Sequence, residues 1–430
     1  MDEEKFDAMI VGGGLAGCIA AYELAKAGLE VVVVERGSFS GSKNMTGGRL
    51  YGHSLEQVIP GFAARAPIER LVTKERLSFL TKDGGTTMEY ANTGLADVSC
   101  ASYTVLRAPF DRWLAEQAEQ EGAMFVNDIR VDDVILRDGK VCGVVAGEDE
   151  MEADVVLLAD GAVSLLGQKL GMVPPLDPHK MAVGVKEVIE LGEKTVSDRF
   201  GCADGEGTAW MFDGYCTDDH IGGGFLYTNR ESISLGIVTT IGDIDRNGTS
   251  APEMLERLKA HPVVAPLVEG GTLREYTGRM IVEGGLAGVP ELVGNGVLVL
   301  GDAAALGINI GYCVRGMDLA IESGRLAAQA VLQAREKNDF SAHGLNSYKT
   351  LIDESFIMRD MRFYRRFPQF MENARGLFGA YPDMIDEIMS GMFRVDGSEP
   401  VKLSAKAMAA AKKVGLGTIA KDVRKGLKAL

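Results

Sequence analysis

The stretch FDAMIVGGGLAGCIAAYELAKAGLEVVVVER, residues 6–36, decides the fold of this chain. Its short apolar run at 6–11 predicts a buried strand, and residues 15–27 predict a helix that ends at Gly28, a natural C-cap. A second, β-branched run at 31–34 predicts another strand. The order strand, glycine-rich turn, helix and strand is typical of a nucleotide-binding α/β unit.

Three glycines between the first strand and the helix fit the spacing G-x-G-x-x-G. Gly12 permits the tight turn, Gly14 lets a pyrophosphate approach the backbone, and Gly17 lets the helix pack closely on the strand. The amides of Leu15 and Ala16 then belong to a helix N-terminus that faces the anion. This turn therefore predicts a dinucleotide site.

An acidic residue follows the second strand at the distance expected for a ribose contact. Glu35 can accept hydrogen bonds from the adenosine ribose hydroxyls, and its charge would repel a 2′-phosphate, so NADP is disfavoured. We include its neighbour Arg36 in the predicted site. The alternative is a glycine-rich turn that binds no ligand, but the ordered set of strand, loop, helix, strand and acid favours the nucleotide.

Two later segments distinguish FAD from NAD, which share this fingerprint. In the segment 152–171 an apolar strand runs into Asp160-Gly161, and in the segment 294–331 a strand ends at Gly301-Asp302 before a glycine-rich turn and a long helix. A short acid after a strand can accept hydrogen bonds from ribityl hydroxyls, and turn amides can face the negative edge of a reduced flavin. Because NAD has no ribityl chain, the predicted cofactor is FAD.

These three elements resemble the glutathione-reductase-like superfamily of FAD-dependent proteins, in the branch of the hydroxybenzoate hydroxylases and geranylgeranyl reductases. Arg107 stands where that branch places an arginine before a helix; it could pair with the pyrophosphate or only solvate the helix start. The predicted fold class is α/β, α+β overall: an FAD-binding Rossmann domain, an inserted antiparallel-sheet domain for quinone or substrate, and C-terminal helices.

The resemblance narrows at GSKNMTGGRLYGHSLEQVIPGF (41–62) and in the segments 221–238 and 259–304. These are similar to the electron transfer flavoprotein–quinone oxidoreductase family, in its short FixC-type form, and the similarity runs nearly end to end. It implies electron transfer from electron transfer flavoprotein alpha and beta subunits to quinone through FAD. It also implies a complex with a ferredoxin-like iron–sulfur protein, linked to electron bifurcation from NADH to ferredoxin and quinone.

One departure from the long family members is informative. They carry a C-terminal cluster domain with four cysteines, whereas this chain has no cysteine after Cys313. Any iron–sulfur cluster is therefore expected on another polypeptide.

The same resemblance implies positions around the flavin ring and the quinone. The residues that it adds to the predicted FAD site are Lys43, Asn44, Gly47, Gly48, Val131, Asn309, Ile310 and Gly311. The quinone-pocket candidates are Gly222, Gly223 and Phe225, in a glycine-rich strand that also contains Gly224; glycines there could equally mark a β-bulge. Outer-sphere electron transfer requires no nucleophile, so no catalytic side chains are predicted.

The predicted FAD domain is discontinuous and comprises residues 1–75, 100–175 and 280–345. Residues 76–99 and 176–279 alternate apolar and polar positions, which predicts an antiparallel sheet over the flavin. Residues 346–430 form a C-terminal helical region. Asp138-Gly139 predicts a hairpin turn.

Composition excludes several classes of function. The net charge of −16 argues against a nucleic-acid partner. Six cysteines without a C-x-x-C pair and five dispersed histidines predict no metal site. We find no signal-peptide pattern and no apolar run of about 18 residues, so we expect a cytoplasmic protein that does not span a membrane.

The C-terminal region carries two candidate surfaces. Residues 356–393 are rich in aromatic residues and methionines, which suits either a docking patch or a buried helical layer. The last 30 residues have a net charge of +7 and leave −23 on the remainder. There, a helix after Thr418 would place Ile419, Val423, Leu427 and Leu430 on one face. This helix could hold the protein at the inner face of the cell membrane, or lie on a partner or its own body.

Two other functions stay open at this point. An apolar flavin pocket could hold a prenyl chain, as in a geranylgeranyl-reductase-like enzyme that saturates prenyl double bonds. The chain could also be a structural flavoprotein subunit whose FAD never turns over.

Overall fold

Two large sheets organise the protein, and each is assembled from segments far apart in the chain. A computed structural model describes residues 5–44, 48–246 and 248–429. The strands are β1 (Lys5–Val11), β2 (Val31–Val34), β3 (Gly48–Tyr51), β4 (Ile68–Leu80), β5 (Gly85–Ala91), β6 (Ser102–Val105), β7 (Met124–Val126), β8 (Asp133–Arg137), β9 (Lys140–Ala146), β10 (Asp149–Leu158), β11 (Met181–Glu190), β12 (Glu206–Gly214), β13 (Gly222–Thr228), β14 (Ser232–Thr240), β15 (Thr272–Val282), β16 (Val293–Gly294), β17 (Val297–Val299), β18 (Ile308–Asn309) and β19 (Val314–Arg315).

The α-helices follow the same order along the chain. They are α1 (Leu15–Lys26), α2 (His53–Val58), α3 (Arg107–Gln120), α4 (Leu165–Lys169), α5 (Glu193–Phe200), α6 (Ala251–Ala260), α7 (Ala265–Val268), α8 (Met317–Glu336), α9 (Ser347–Glu354), α10 (Phe356–Phe363), α11 (Phe367–Asn373), α12 (Ala380–Phe393), α13 (Leu403–Val414) and α14 (Leu416–Ala429).

The first sheet is a nucleotide-binding sheet in the order β16-β17-β10-β1-β2-β7, extended from β10 by the β8–β9 hairpin. The neighbours β17, β10, β1, β2 and β7 run parallel. Every residue of β2 is buried because helices cover this sheet, and α1 packs against α3 and α8. The strand and helix predicted at 6–11 and 15–27 are β1 and α1, with Gly28 at φ +82° just beyond the helix.

The second sheet runs in the order β15-β11-β14-β13-β12-β4-β6-β3, with β5 paired to β4. Most neighbours are antiparallel, as predicted, but β12 and β4 are parallel. The prediction of an antiparallel sheet is therefore wrong for this pair. Alternating polarity predicts a half-buried strand but not the direction of strands joined by a long connection.

The predicted domain division stays a prediction, although the pairing bears on it. β3, β6 and the first part of β4 lie within 1–75 and 100–175, the ranges assigned to the FAD domain, yet they pair into the second sheet. The predicted boundary between residues 75 and 76 falls inside β4. At Asp138-Gly139 the predicted hairpin turn joins β8 and β9, with φ values of +50° and +76°.

The two faces of the second sheet have different roles. Trp210, Phe212 and Leu226 pack with Met254 and Leu258 of α6 in an apolar core. The opposite face carries Ala209, Phe225 and Tyr227, with Met211 and Val238 beside them. This second face looks toward the first sheet and closes the space between the two.

The C-terminal helices are partly buried and partly exposed. Ile357, Met361 and Phe378 are buried, whereas Phe363 and Phe393 are 62% and 72% exposed, so neither reading of the segment 356–393 holds throughout. No helix among residues 5–44, 48–246 and 248–429 combines the length and the apolar character needed to cross a bilayer.

The terminal helix begins before the predicted Thr418 cap, and the side that it buries is not the predicted apolar face. α14 begins at Leu416 and buries Asp422, Gly426 and Ala429, because Gly426 sits against the Phe370 ring and Asp422 accepts a hydrogen bond from the Tyr381 hydroxyl at 2.7 Å. Val423 and Leu427 are 56% and 78% exposed. Leu430, placed on the same face by the prediction, lies outside the described residues.

Candidate functional site

A cavity of about 770 Å³ lies between the two sheets. On one side it is lined by residues just after β1, β2, β10 and β17, at the carboxyl edge of the first sheet. That edge is where ligands bind in open α/β sheets. A second cavity, of about 500 Å³, is lined by residues such as Glu69, Arg230 and Arg274 and contains none of the predicted cofactor-binding residues.

The glycine-rich turn is closed by protein on two sides and open toward the cavity. Gly12 has φ +106°, and a Cβ there would lie 2.3 Å from the Ala159 carbonyl oxygen. A Cβ at Gly17 would lie 2.0 Å from the Gly12 carbonyl oxygen, whereas at Gly14 no heavy atom would lie within 4 Å. The turn thus leaves room for a diphosphate at Gly14, as the motif predicts.

Backbone amides fix the Glu35 carboxylate at the cavity edge. Its Oε2 accepts from the Gly13 amide at 2.8 Å, and its Oε1 accepts from the Gly37 amide at 2.6 Å. Since an ionised carboxylate offers about four acceptor sites, these bonds leave capacity for ribose hydroxyls. Arg36 also lines the cavity.

Arg107 begins α3 and forms a bidentate ion pair. Its Nε and Nη2 each lie 2.8 Å from an Asp111 carboxylate oxygen, and Asp111 also accepts from the Asn44 side-chain amide. Arg107 still lines the cavity, together with Lys43 and Asn44. Its predicted contact with the pyrophosphate stays a prediction, as one guanidinium can serve both anions.

Two carboxyl groups follow strands of the first sheet, as the sequence predicts. Asp302 lines the cavity and is open to it. The surrounding protein desolvates its carboxyl and thereby raises its pKa, and the charge of Arg107 opposes the rise. Desolvation also raises the pKa of Asp160, which accepts hydrogen bonds from Ser164 Oγ at 2.9 Å and from the Leu166 amide at 3.4 Å. Gly161 and Gly301 line the same cavity.

The short β18–β19 hairpin brings Asn309 to the cavity, where a buried acid orients it. Asn309 Nδ2 donates to Glu283 at 2.9 Å, and Asn309 Oδ1 accepts from the Gly311 amide at 2.9 Å. Glu283 also accepts from Thr240 Oγ1 at 3.2 Å, and burial raises the pKa of its carboxyl. This bonding fixes which way the Asn309 amide points.

The quinone-pocket candidates form the opposite side of the cavity. Gly222, Gly223, Gly224 and Phe225 all line it, and β13 pairs with β12 and β14 without a register shift. The glycines therefore do not mark a bulge. A Cβ at Gly222 would lie 2.1 Å from the Val238 carbonyl oxygen, so close strand packing requires that glycine.

Most predicted site residues thus meet at one cavity. Leu15, Ala16, Gly48 and Val131 line it as well, whereas Gly17 packs inside the turn and Ile310 is buried in the loop between β18 and β19. Gly47 lies outside the described residues. The cavity residues that the sequence reading missed include Arg49, Met211, Asp213, Tyr227, Arg279, Glu283 and Arg315. For Met211 and Asp213, alternation along β12 was an available signal.

No group of three or more histidine, cysteine or acidic residues within the described ranges could hold a metal ion.

Comparison with known proteins identifies the family. An ETF-QO/FixC family C-terminal domain model matches residues 367–430, and an FAD dependent oxidoreductase model matches residues 7–102. The probable electron transfer flavoprotein-quinone oxidoreductase YdiS of Escherichia coli K12 is 52% identical over 430 residues, the whole length of both chains. The FixC protein of Salmonella typhi is 51% identical over the same span, and that of Azorhizobium caulinodans is 37% identical over 95% of each chain.

The chain belongs to the FixC and electron transfer flavoprotein-quinone oxidoreductase family. The predicted family is therefore confirmed, and with it the predicted cofactor: this FixC-type chain is an FAD-dependent oxidoreductase with a role in electron transfer. Its cavity fits FAD, since the open turn, the fixed Glu35 and the two strand-end carboxyls line one continuous space.

Solved structures agree on the fold. A geranylgeranyl bacteriochlorophyll reductase-like protein of Thermoplasma acidophilum matches with a TM-score of 0.70 at 22% identity, over 96% of this chain and 99% of the other. The myxobacterial halogenase CndH matches with a TM-score of 0.64 at 18% identity, over 97% and 90%. At such identities the likeness shows the FAD-binding fold alone, and it carries no argument for prenyl reduction.

Proposed function

We propose that this protein passes electrons from the alpha and beta subunits of an electron transfer flavoprotein, through FAD, to a quinone. One observation carries the proposal: the nucleotide-binding edge of the first sheet and the glycine-rich strand β13 line the same cavity. The names of the full-length relatives support the choice of donor and acceptor. Bound FAD would supply the redox chemistry, and the residues of this chain would hold it and position the acceptor.

The residues of the first sheet would hold the cofactor. We assign the diphosphate to Gly14 and the first amides of α1, the ribose to Glu35, and the ribityl region to Asp302. Asn309, held by Glu283, would donate or accept at the polar edge of the flavin ring. These assignments rest on the placement of each residue along one cavity.

The second sheet would hold the quinone. Met211, Phe225 and Val238 give this side of the cavity an apolar surface, and Gly223 presents bare backbone between them. A flat apolar ring fits such a surface because close backbone approach and an aromatic side chain exclude water. Electron transfer then needs only a short distance between two bound rings, so a nucleophile is not required.

We further propose that the chain works in a complex with the two flavoprotein subunits and a ferredoxin-like iron–sulfur protein. In that complex, electrons from NADH would divide between ferredoxin and quinone. Family membership and the lack of cysteines after Cys313 support a separate cluster-bearing subunit.

We also propose a peripheral contact with the inner face of the cell membrane through α13 and α14. Val423 and Leu427 are exposed beside Lys421, Arg424 and Lys428 on α14. Each basic residue near an anionic leaflet contributes roughly 1 kcal/mol, so several together with apolar side chains can hold a protein reversibly at the surface. Docking of the same surface on an acidic partner is the alternative.

Two experiments test this function. Tagged protein purified from its native host should bring down both flavoprotein subunits and a ferredoxin-like protein, and their absence would contradict the complex. Anaerobically reduced protein mixed with a short-chain ubiquinone analogue should be reoxidised. Reduced flavin that the quinone fails to reoxidise would contradict quinone reduction, and reduction of prenyl double bonds by the protein alone would favour the geranylgeranyl-reductase-like alternative.

A further inference from the structure

One acidic side chain stands on the quinone side of the cavity. Asp213 lies on β12, two residues after Met211, so both side chains are on the sheet face that looks toward the cavity. A Cβ at Gly223 of the neighbouring strand would lie 3.5 Å from Asp213 Oδ1. The carboxyl therefore stands beside the bare backbone at Gly223, within reach of a ring bound there.

Within the part of the chain that the structure describes, no hydrogen bond or ion pair reaches the Asp213 carboxyl. Its surroundings are Phe212, Gly223 and the apolar side of the cavity. Desolvation alone raises the pKa of Asp213 to about 7. Near neutral pH this group can therefore both give up a proton and take one back.

The other titratable groups on the elements around Asp213 are bound to partners, stay neutral or do not line the cavity. They are Glu75 on β4, Tyr227 on β13, Cys216 after β12, Arg375 before α12, Asp383 on α12 and Glu283 after β15. Arg49 pairs with Glu75, and Arg375 Nη1 binds Asp243 at 2.5 Å. Glu283 is held by Asn309 and Thr240.

Burial keeps two of these groups, Cys216 and Tyr227, in their neutral form. Burial raises the pKa of Cys216 to about 12 and also raises that of Tyr227, so neither ionises at neutral pH. Burial raises the pKa of Asp383 on α12, and the charges of Asp219 and Asp386 raise it further; it does not line the cavity. Asp213 is thus the cavity carboxyl on this side that lacks a bonded partner among the described residues.

We propose that Asp213 is the proton donor to the quinone, with its carboxylic acid placed beside a ring bound against Met211, Gly223 and Phe225. The proposal rests on the proposed function and names the group that completes it. It concerns a residue that touches the substrate and does not depend on which flavoprotein supplies the electrons.

Converting a quinone to a quinol consumes two electrons and two protons, and bound reduced flavin in its anionic form would supply both electrons and one of the protons. The O–H bond of Asp213 breaks and a new O–H bond forms on a quinone oxygen, which leaves the Asp213 carboxylate. A proton from solvent then restores the acid, so the negative charge lost by the flavin passes to the carboxylate and then to the medium.

A carboxyl with these properties suits general acid catalysis. Proton donors work best when their pKa lies near the operating pH, and a positioned donor contributes typically about 10²–10⁴-fold in rate. An ordinary exposed aspartate would be ionised at neutral pH and could not donate. The apolar surface beside Asp213 keeps the acid form available.

The test compares Asp213→Asn and Asp213→Glu with wild-type holoprotein in anaerobic stopped-flow. Reduced protein is mixed with a short-chain ubiquinone analogue across pH values on both sides of 7, and separately with ferricenium, which accepts an electron without a proton. We expect wild-type reoxidation by quinone to slow about tenfold per pH unit above about 7. Asp213→Asn should be about 100-fold slower below that pH and lose the dependence, and Asp213→Glu should restore part of the rate.

The controls separate this role from a structural one. Ferricenium should reoxidise all the variants at the wild-type rate, and Asp83→Asn, in the turn between β4 and β5, should behave as wild type with quinone. If Asp213→Asn keeps the wild-type quinone rate and pH profile, the proposal is wrong. If wild-type reduced protein does not react with quinone at all, the proposed function fails first, and that outcome is distinct.

A spectroscopic readout is independent of turnover. Infrared difference spectra of the oxidised protein between acid and alkaline pH should show a carboxylic acid band that disappears around pH 7 and is absent in Asp213→Asn. Identical spectra for wild type and variant would overturn the assignment of a titrating acid to this position.

Discussion

Replacing Gly14 by alanine should separate cofactor binding from folding. Gly14 has φ −82° and ψ −174°, a conformation open to any L-residue, and a Cβ there meets no protein atom within 4 Å. The apoprotein should lose no stability and could gain about 0.4–1 kcal/mol, because alanine restricts the unfolded chain. The added methyl instead projects into the space assigned to the FAD diphosphate.

The size of the binding effect follows from the amides at the start of α1. Displacing the diphosphate far enough to break one charge-assisted hydrogen bond costs about 1.5–3 kcal/mol. That loss corresponds to an increase of about 10- to 150-fold in the Kd for FAD. The Kd is measured by calorimetric titration of apoprotein with FAD, and apoprotein stability by urea denaturation.

Two matched alanine variants complete the design. A Cβ at Gly17 would lie 2.0 Å from the Gly12 carbonyl oxygen, so Gly17→Ala should destabilise the apoprotein itself. Gly417→Ala on α14, where a Cβ also meets nothing within 4 Å, should change neither property by more than a few tenths of a kcal/mol beyond its helix propensity. Full FAD affinity in Gly14→Ala would refute the placement of the diphosphate at this turn.

Three further predictions concern other parts of the molecule. Asp302→Ala should lower FAD retention on gel filtration, because it removes the carboxyl assigned to the ribityl region, whereas Asp83→Asn should retain the cofactor. Equal FAD occupancy in the two variants would contradict the assignment. The pKa of Asp213 rises from 3.8 to about 7 on folding, so the folded state holds this proton more tightly and wild-type stability should fall as pH rises between these values. Asp213→Asn has no such acid, so above pH 7 it should be more stable than wild type by up to about 4 kcal/mol in urea denaturation, and at pH 4 it should have no such advantage. A stability difference between the two proteins that does not change with pH would be inconsistent with a buried acid. Replacing Val423 and Leu427 together by serine should leave stability unchanged, because both side chains are exposed, and should weaken cosedimentation with anionic vesicles. Leu136→Ser, at another exposed position, should not weaken cosedimentation. Unchanged sedimentation of the double variant would exclude this surface from lipid contact.

The nucleotide-binding half of the site could be predicted because its signals are local. Gly12, Gly14 and Gly17 lie in one turn between adjacent elements, and Glu35 follows the next strand directly. Asp160 and Asp302 follow strands that end at the same sheet edge, so their meeting follows from a parallel topology. Here each signal lies within a short stretch of sequence, and the parallel topology brings the stretches together.

The rest depends on contacts between distant segments. The parallel pairing of β4 with β12 joins residues 68–80 to 206–214, and nothing in either stretch states their relative direction. In the sequence Asp213 and Glu283 are ordinary polar positions. The sheet places Asp213 beside Gly223, and the β18–β19 hairpin brings Asn309 to Glu283. The side of α14 that packs on the protein carries the small Gly426, which fits against Phe370, a packing contact that hydropathy does not record.

The proposed transfer of electrons from an electron transfer flavoprotein to quinone can be measured directly. The measurement is anaerobic quinol formation from a reduced flavoprotein heterodimer and a ubiquinone analogue, with and without the FAD-loaded protein. Quinol should form rapidly only when the protein is present, and Gly14→Ala should support it in proportion to the FAD that it retains. Contradiction would come from reduced heterodimer that fails to reduce the flavin of this protein, or from quinol formation at the same rate without it.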